Sequence, residues 1–405
     1  MAHPSPDPRF ESAQAEILLR CARAVLEPGS RERIGALIAA GIDWKALFVL
    51  AETHAMLPLL HRHLGAAQVE GVPRPAQVEL WARHEATART NRAMATELVR
   101  VLGALGCAAV AAIAYKGPAL AFALYGDVAL REFCDLDILI RPRDVLRAKE
   151  ALVALGYAPE YPLEAGVEAA FLRAPSQYHL GMRGANDMVV ELHWKTDADY
   201  PVERDDDAWW SSLASARLEE RTVRTFAARE LMLVLCLHGS KHGWERLAWL
   251  ADVAEMIRQA PAIDWDWIFE RATALGCRRR LALGLHLAQA LLDAPLPEAV
   301  RHTVETYPGV AAIGREIRAR LFTIGNAFRE GPRALRFNLA LYERKRDRIS
   351  HVYNTLLAPS LVEWTRWPLP RALYFLYPPL RLARLVLKYS RRGPGQREAA
   401  PAKPA

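Results

Sequence analysis

The feature that most constrains this 405-residue chain is the stretch FCDLDILI at 133–140, in which Asp135, Asp137 and Leu139 alternate with Leu136, Ile138 and Ile140. A period of two predicts a strand with one buried face, because successive side chains leave a strand on opposite sides. The two aspartates then share the other face. The strand demands a sheet, whereas most of the chain around it has a helical period.

Residues 10–105 carry apolar positions at three- and four-residue spacing, as in AEILLRCARAVL and ELVRVLGALG, with breaks at Pro28-Gly29 and across 71–75. This predicts a helical N-terminal region over 1–105. At Cys107 the texture changes: CAAVAAIAY, bounded by Gly106 and Lys116-Gly117, predicts a buried strand, then a turn at Gly117-Pro118 and a helix through Tyr125. After the acidic strand, Pro142 and Asp144 open a helix that closes near Gly156. QYHLGMRG and MVVELHWKT then flank Ala185-Asn186-Asp187 as a hairpin. Together these elements predict a small mixed α/β core over 106–200. Beyond Trp209, ARELMLVLCLHGSKHGW, RLAWLADVAEMI and RRLALGLHLAQALL return to helical spacing. They predict a helical domain over 201–330 and a C-terminal helical segment with a basic tail over 331–405. The expected class is α+β, a small mixed sheet embedded between helical N- and C-terminal regions.

The charge is uneven. Residues 366–405 hold nine Lys or Arg against Glu398 alone, so a net +8 of the chain's +7 lies there and the remainder sums to −1. A generic nucleic-acid-binding body is therefore not expected. Within this tail, residues 366–392 interleave Trp, Tyr, Phe and Leu with arginines, and 393–405 reads as a flexible end. The mixed part suits either an anionic membrane surface or a protein partner, or a terminal helix packed on the body with its arginines in solvent. The longest uncharged apolar run, 101–115, is 15 residues and contains Gly103 and Gly106, too short for a membrane span of about 20 residues. No basic segment followed by an apolar one opens the chain, and the five cysteines are scattered without a C-x-x-C pair, so a reduced, cytoplasmic protein is expected.

Asp135 and Asp137, two residues apart on a strand, are placed to bind a hard cation together. Glu191 alternates with Val190 and Leu192 in MVVELHW, so it can occupy the matching face of a neighbouring strand and complete a three-carboxylate cluster. Such a cluster repels itself without a cation. Mg²⁺ suits it best, with Mn²⁺ as the alternative, because Mg²⁺ favours carboxylates and keeps positions open for phosphate oxygens. Two ions about 3.5–4 Å apart would activate a hydroxyl and steady a leaving pyrophosphate. The preceding turn supplies a second element. Gly117 permits close backbone approach to a phosphate, and a helix starting after it directs N–H groups at an anion. Lys116 and Arg131 are placed to neutralise phosphate charge.

The stretch AYKGPALAFALYGDVALREFCDLDILI followed by ELHWKT resembles the polymerase-β-like nucleotidyltransferase superfamily signature: a glycine turn, an acidic–apolar–acidic strand and a third acid in a later strand. K-G, Y-G-D, R, D-L-D-I-L-I, G-Y and E-L-H-W together resemble, more closely, an uncharacterised bacterial nucleotidyltransferase family associated with surface-polysaccharide and natural-product gene clusters. The likeness continues through HGSKHGWERLAWLADV and TRWPLPRALYFLYPPLR. It implies a nucleotidyltransferase core with Asp135, Asp137 and Glu191 as catalytic metal ligands, beside which the phosphate chemistry of Lys116, Gly117 and Arg131 sets them at the nucleotide. The implied reaction moves a nucleoside monophosphate from an NTP to a hydroxyl on a small molecule, sugar, peptide or protein. Two departures stand out. Pro118 replaces the second small residue of the usual turn and removes one N–H, and the third acid is Glu rather than Asp.

His238 and His242 are four apart on an expected helix, but Gly239, Ser240 and Lys241 lie between them, so this is no H-E-x-x-H zinc motif. With Asp252 they are candidates for the pocket wall, or simply polar neighbours of a helix packed by Trp244, Trp249 and Leu250. His193 shares the Glu191 face. The alternative to an enzyme is a catalytically weak protein of the same fold, acting in binding or assembly at a membrane or on a partner.

Overall fold

The computed structural model describes residues 12–65, 69–174, 177–203, 206–218, 221–323 and 332–390. The end expected to be flexible, 393–405, and the boundary expected at 330 lie outside them.

A five-stranded sheet is built from β1 (Ala112–Ala114), β2 (Asp135–Ile140), β3 (Ala158–Pro159), β4 (His179–Arg183) and β5 (Val189–His193), in the order β1-β2-β5-β4-β3. Only β2 and β5 run parallel; the other pairs are antiparallel. Helices surround this sheet, so the chain is α+β as expected. Among the described residues no helix is long and apolar enough to cross a membrane.

Alternation sorts the sheet into two faces. Leu136 and Ile138 of β2, Val190 and Leu192 of β5, and Leu180 and Met182 of β4 are buried in one apolar cluster with Met94, Leu98 and Val101 of the helix Arg74–Cys107. At 1.5 Å per residue that 34-residue helix is about 50 Å long. Its first half, through Ala76 and Leu80, instead joins a second core shared by the N-terminal helices and the helices Ala228–Lys241, Leu247–Gln259 and Arg278–Leu292. One rigid element therefore ties the sheet to the helical body. Trp244 is fully buried in that body, its indole against Gly239 and Gly284, where an added Cβ would come within 2.2 Å and 3.0 Å of the ring.

The acidic strand, the helix closing before Gly156 and the hairpin around Ala185–Asp187 form as expected. The strand expected in the apolar run from Cys107 forms only in part, and the helix after it, Gly117–Tyr125, forms as expected. Helix continues to Cys107, and only Ala112–Ala114 pair as strand. The helix passes Gly103 and Gly106 because Val101 and Leu105 pack it on the core, and it ends before Ala109, whose φ of +53° turns the chain into the short strand. A second departure lies past Trp209, where β6 (Ala214–Leu218) pairs with β7 (Arg221–Thr225) before helix resumes. Only Leu218 and Val223 of this pair are buried, too few apolar residues to stand out in the sequence.

Candidate active site

Asp137 and Glu191 are register partners across the parallel β2–β5 pair, and Asp135 lies two residues back on the same face. The antiparallel β4 places His179 opposite His193 and Gly181 opposite Glu191. Alternation thus brings Asp135, Asp137, Glu191, His193 and His179 to one side, opposite the apolar face. A cavity of about 800 Å³ opens over them and is walled on its far side by Leu237, His238, Lys241 and His242 of the helix Ala228–Lys241 and its end.

One imidazole holds the centre. His193 Nε2 is 3.0 Å from Asp137 Oδ1 and 3.1 Å from Glu191 Oε2, and His193 is almost wholly buried. Lys116 Nζ lies 3.1 Å from the same Asp137 oxygen. His179 Nε2 is 3.9 Å from Glu191 Oε1, and its Nδ1 is buried without a hydrogen-bond partner among the described residues.

The titration of these groups follows from that geometry. Burial, then the neighbouring charges of Asp137 and Glu191, push the Asp135 carboxyl up to about 7. Burial also favours the neutral acid at Asp137, but Lys116 and His193 outweigh it and hold the group well below the carboxylate range. At Glu191 burial is again overcome, by His193 and then His179, which bring it down to about 2. Burial opposes charge on His193, yet its close contacts with the Asp137 and Glu191 carboxylates raise its pKa above the ordinary imidazole value. Negative charge at Asp135 is thus the least compensated in the cluster. Three carboxylates and the ring nitrogens of His179 and His193 are donors that suit a divalent cation; His179, Glu191 and His193 bring one ligand atom each within 4.8 Å of one another.

Lys116 precedes the helix Gly117–Tyr125, whose N-terminus opens on the cavity. Gly117 has φ +54°, and a Cβ there would sit 3.2 Å from the Asp135 carbonyl oxygen. Both the positive φ and the approach of this turn to β2 favour glycine. Pro118 leaves Gly117 and Ala119 as the N–H donors of the first positions.

The remaining sequence candidates divide. His238 and His242 both line the cavity, with ring centroids 4.7 Å apart and 5.4 and 5.2 Å from Trp249. Burial, then Lys116 and His242, hold His238 well below the ordinary imidazole value. Arg131 borders the cavity, but its guanidinium is turned to Asp252, with Nε 3.1 and 3.0 Å from the two carboxylate oxygens. Asp252 also accepts a bond from Tyr125 Oη at 3.0 Å and is 1% exposed; it does not line the cavity. Arg131 and Asp252 therefore meet each other behind the cavity wall.

Sequence reasoning missed His179, Glu160 and Lys241. A hairpin centred on Asn186 already implies that His179 faces His193, so the signal for His179 was present in the spacing. Glu160 reaches the site only because β3 pairs with β4, where its carboxylate lies over Gly181 and 2.5 Å from Arg183 Nη2. Lys241 arrives from the distant helix wall, where Nζ bonds Tyr178 Oη at 2.6 Å. Neither left a local trace in the sequence.

The model of a family described as "Uncharacterised nucleotidyltransferase" matches residues 40–293, well over half of the chain. The match begins before the motif region and ends before the C-terminal TRWPLPRALYFLYPPLR stretch. No curated protein matches the chain.

Proposed function

Because the chain belongs to this family of uncharacterised nucleotidyltransferases, we propose that it moves a nucleoside monophosphate from an NTP to a hydroxyl acceptor in the cavity above β2 and β5. The acceptor hydroxyl gives its proton to solvent as its oxygen forms a bond to the α-phosphorus, the bond to the bridging oxygen breaks, and pyrophosphate leaves with the displaced electron pair. The observation that carries this reading is the register of Asp137 on Glu191, with Asp135 two residues away and the Lys116–Gly117 helix start facing the same cavity.

Each residue has a task. Asp135, Asp137 and Glu191 would hold the divalent cations, Mg²⁺ or Mn²⁺. When bound, these ions offset phosphate charge and lower the pKa of the acceptor hydroxyl. Lys116 and the N–H groups of Gly117 and Ala119 would grip phosphate oxygens. His193 fixes the relative positions of Asp137 and Glu191 through its two contacts. His238, His242 and Trp249 form the wall against which the acceptor or the base would rest. Arg131 acts at one remove, by holding Asp252 and the end of the Gly117–Tyr125 helix through Tyr125.

Calorimetric titration of ATP, GTP, CTP and UTP, with and without Mg²⁺, tests the reading. Binding that needs both Mg²⁺ and Asp137 is expected for at least one nucleotide. Binding of none would overturn it in favour of a non-catalytic role.

A further inference from the structure

We propose that the C-terminal helical segment is a docking surface for an anionic lipid bilayer. The helix Tyr377–Ser390 is mounted inside out. Pro379, Leu382, Ala383, Val386 and Leu387 recur at three- and four-residue spacing and all are exposed, with Leu382 at 44%, Val386 at 60% and Leu387 at 55%. A helix on a protein body ordinarily turns such a stripe inward.

Here the arginines take the inner face instead. Arg381 Nη1 lies 3.2 Å from Glu363 Oε2, Arg384 Nε bonds the other oxygen of the same carboxylate, and Glu363 is fully buried. Arg381 also donates to the Thr355 carbonyl at 2.8 Å. This reverses the expectation of a terminal helix with its arginines in solvent. Glu363, capped onto Ser360, sets the rotation of the helix because a buried carboxylate must be paired.

The surroundings add apolar area. The preceding turn exposes Phe375 at 69% and Leu373 at 38%, and the helix Lys345–Leu356, packed against Tyr377–Ser390, exposes Ile349 and Tyr353. Exposed large apolar groups scattered singly need no explanation, but a full helical stripe marks a contact surface.

Charge selects the occupant. Lys345, Arg346, Arg348, Arg366 and Arg371 are exposed, whereas the only acids between 345 and 390 are Asp347 and the buried Glu363. Residues 391–405, RRGPGQREAAPAKPA, add four cations against one acid, Glu398. A second copy of the same face would bring like charges together. An anionic interface takes the apolar stripe below its headgroups and meets the flanking cations with phosphates.

The test is flotation of the full-length protein with vesicles of phosphatidylcholine alone or with a third phosphatidylglycerol, at low and high salt, alongside light scattering without lipid. Binding to the anionic vesicles at least tenfold above the neutral ones, falling with salt, is expected. Val386→Asp with Leu387→Asp should reduce it at least tenfold with the thermal midpoint unchanged, since both side chains point outward. Arg366→Gln with Arg371→Gln should weaken it independently, without touching the apolar stripe. Absence of flotation by the unaltered protein would overturn the proposal. So would a stable dimer that Val386→Asp dissociates. Neither result bears on nucleotide binding.

Discussion

Asp137 and Glu191 face each other across two parallel strands, and a single nitrogen of His193 touches both, at 3.0 and 3.1 Å. That imidazole and Lys116 supply the positive charge that lets the buried Asp137 and the half-buried Glu191 stay ionised side by side, while Asp135 carries the least compensated charge of the cluster.

Asp137→Asn should lower transfer by at least about 10²-fold, the scale seen when a single charge-stabilising group is removed from a reacting centre. Mg²⁺ or Mn²⁺ should raise the thermal midpoint of the native protein by binding the folded state alone, and should fail to do so for the variant. Differential scanning fluorimetry with and without cation, beside a transfer assay, checks both. A cation-dependent midpoint retained by Asp137→Asn would remove Asp137 from the ligand set.

The Arg131–Asp252 pair should behave as architecture. Asp252→Ala leaves a guanidinium that is 9% exposed without its carboxylate, and loss of one partner of a buried pair costs about 3–5 kcal/mol. Urea denaturation reads this directly. Lys116→Met takes a counter-charge from buried Asp137 and so should lower stability as well, but it alone should remove most of the nucleotide affinity. A stable Asp252→Ala protein that no longer binds nucleotide would instead put Arg131 at the phosphates.

Gly117→Ala should destabilise the fold by about 1–2 kcal/mol for the left-handed backbone. It should also weaken nucleotide binding, because the added Cβ meets the Asp135 carbonyl at 3.2 Å and pushes the turn from β2. Gly126→Ala is the matched control: φ is +73°, but nothing lies within 4 Å of its Cβ. Equal nucleotide affinity in the two variants would show that the close approach is irrelevant to binding.

Stability should fall as the solution is acidified through the imidazole range. His54 is 1% exposed, and its Nδ1 accepts a bond from the Leu247 N–H at 3.2 Å, an arrangement open only to the neutral ring. Burial, then Arg246, brings its pKa down to about 4 from 6.5. A folded-state pKa below the unfolded one means that the unfolded chain takes up protons first as pH drops below 6.5, so stability is lost between there and pH 4. The loss from this group alone is on the order of 1 kcal/mol at pH 5.5. Urea midpoints at pH 7.5 and 5.5 should show it, and His54→Gln should reduce the difference. An unchanged difference in that variant would assign the acid sensitivity elsewhere.

The sequence by itself determined the parts whose signal is periodic and local. Alternation at Asp135–Ile140 and Val189–His193 fixed which side chains share a face, and the turn centred on Asn186 fixed which residues of β4 oppose them. The tertiary structure decided what depends on partners distant in the chain. Whether Arg131 meets a phosphate or a carboxylate turned on Asp252, 121 residues away, because an ion pair is set by proximity in space and leaves no period. The same holds for Glu160 over Gly181 and for Lys241 at Tyr178. The C-terminal helix shows the limit most plainly: its stripe of apolar residues is legible, but the direction it faces was set by one buried carboxylate, Glu363, that draws Arg381 and Arg384 inward.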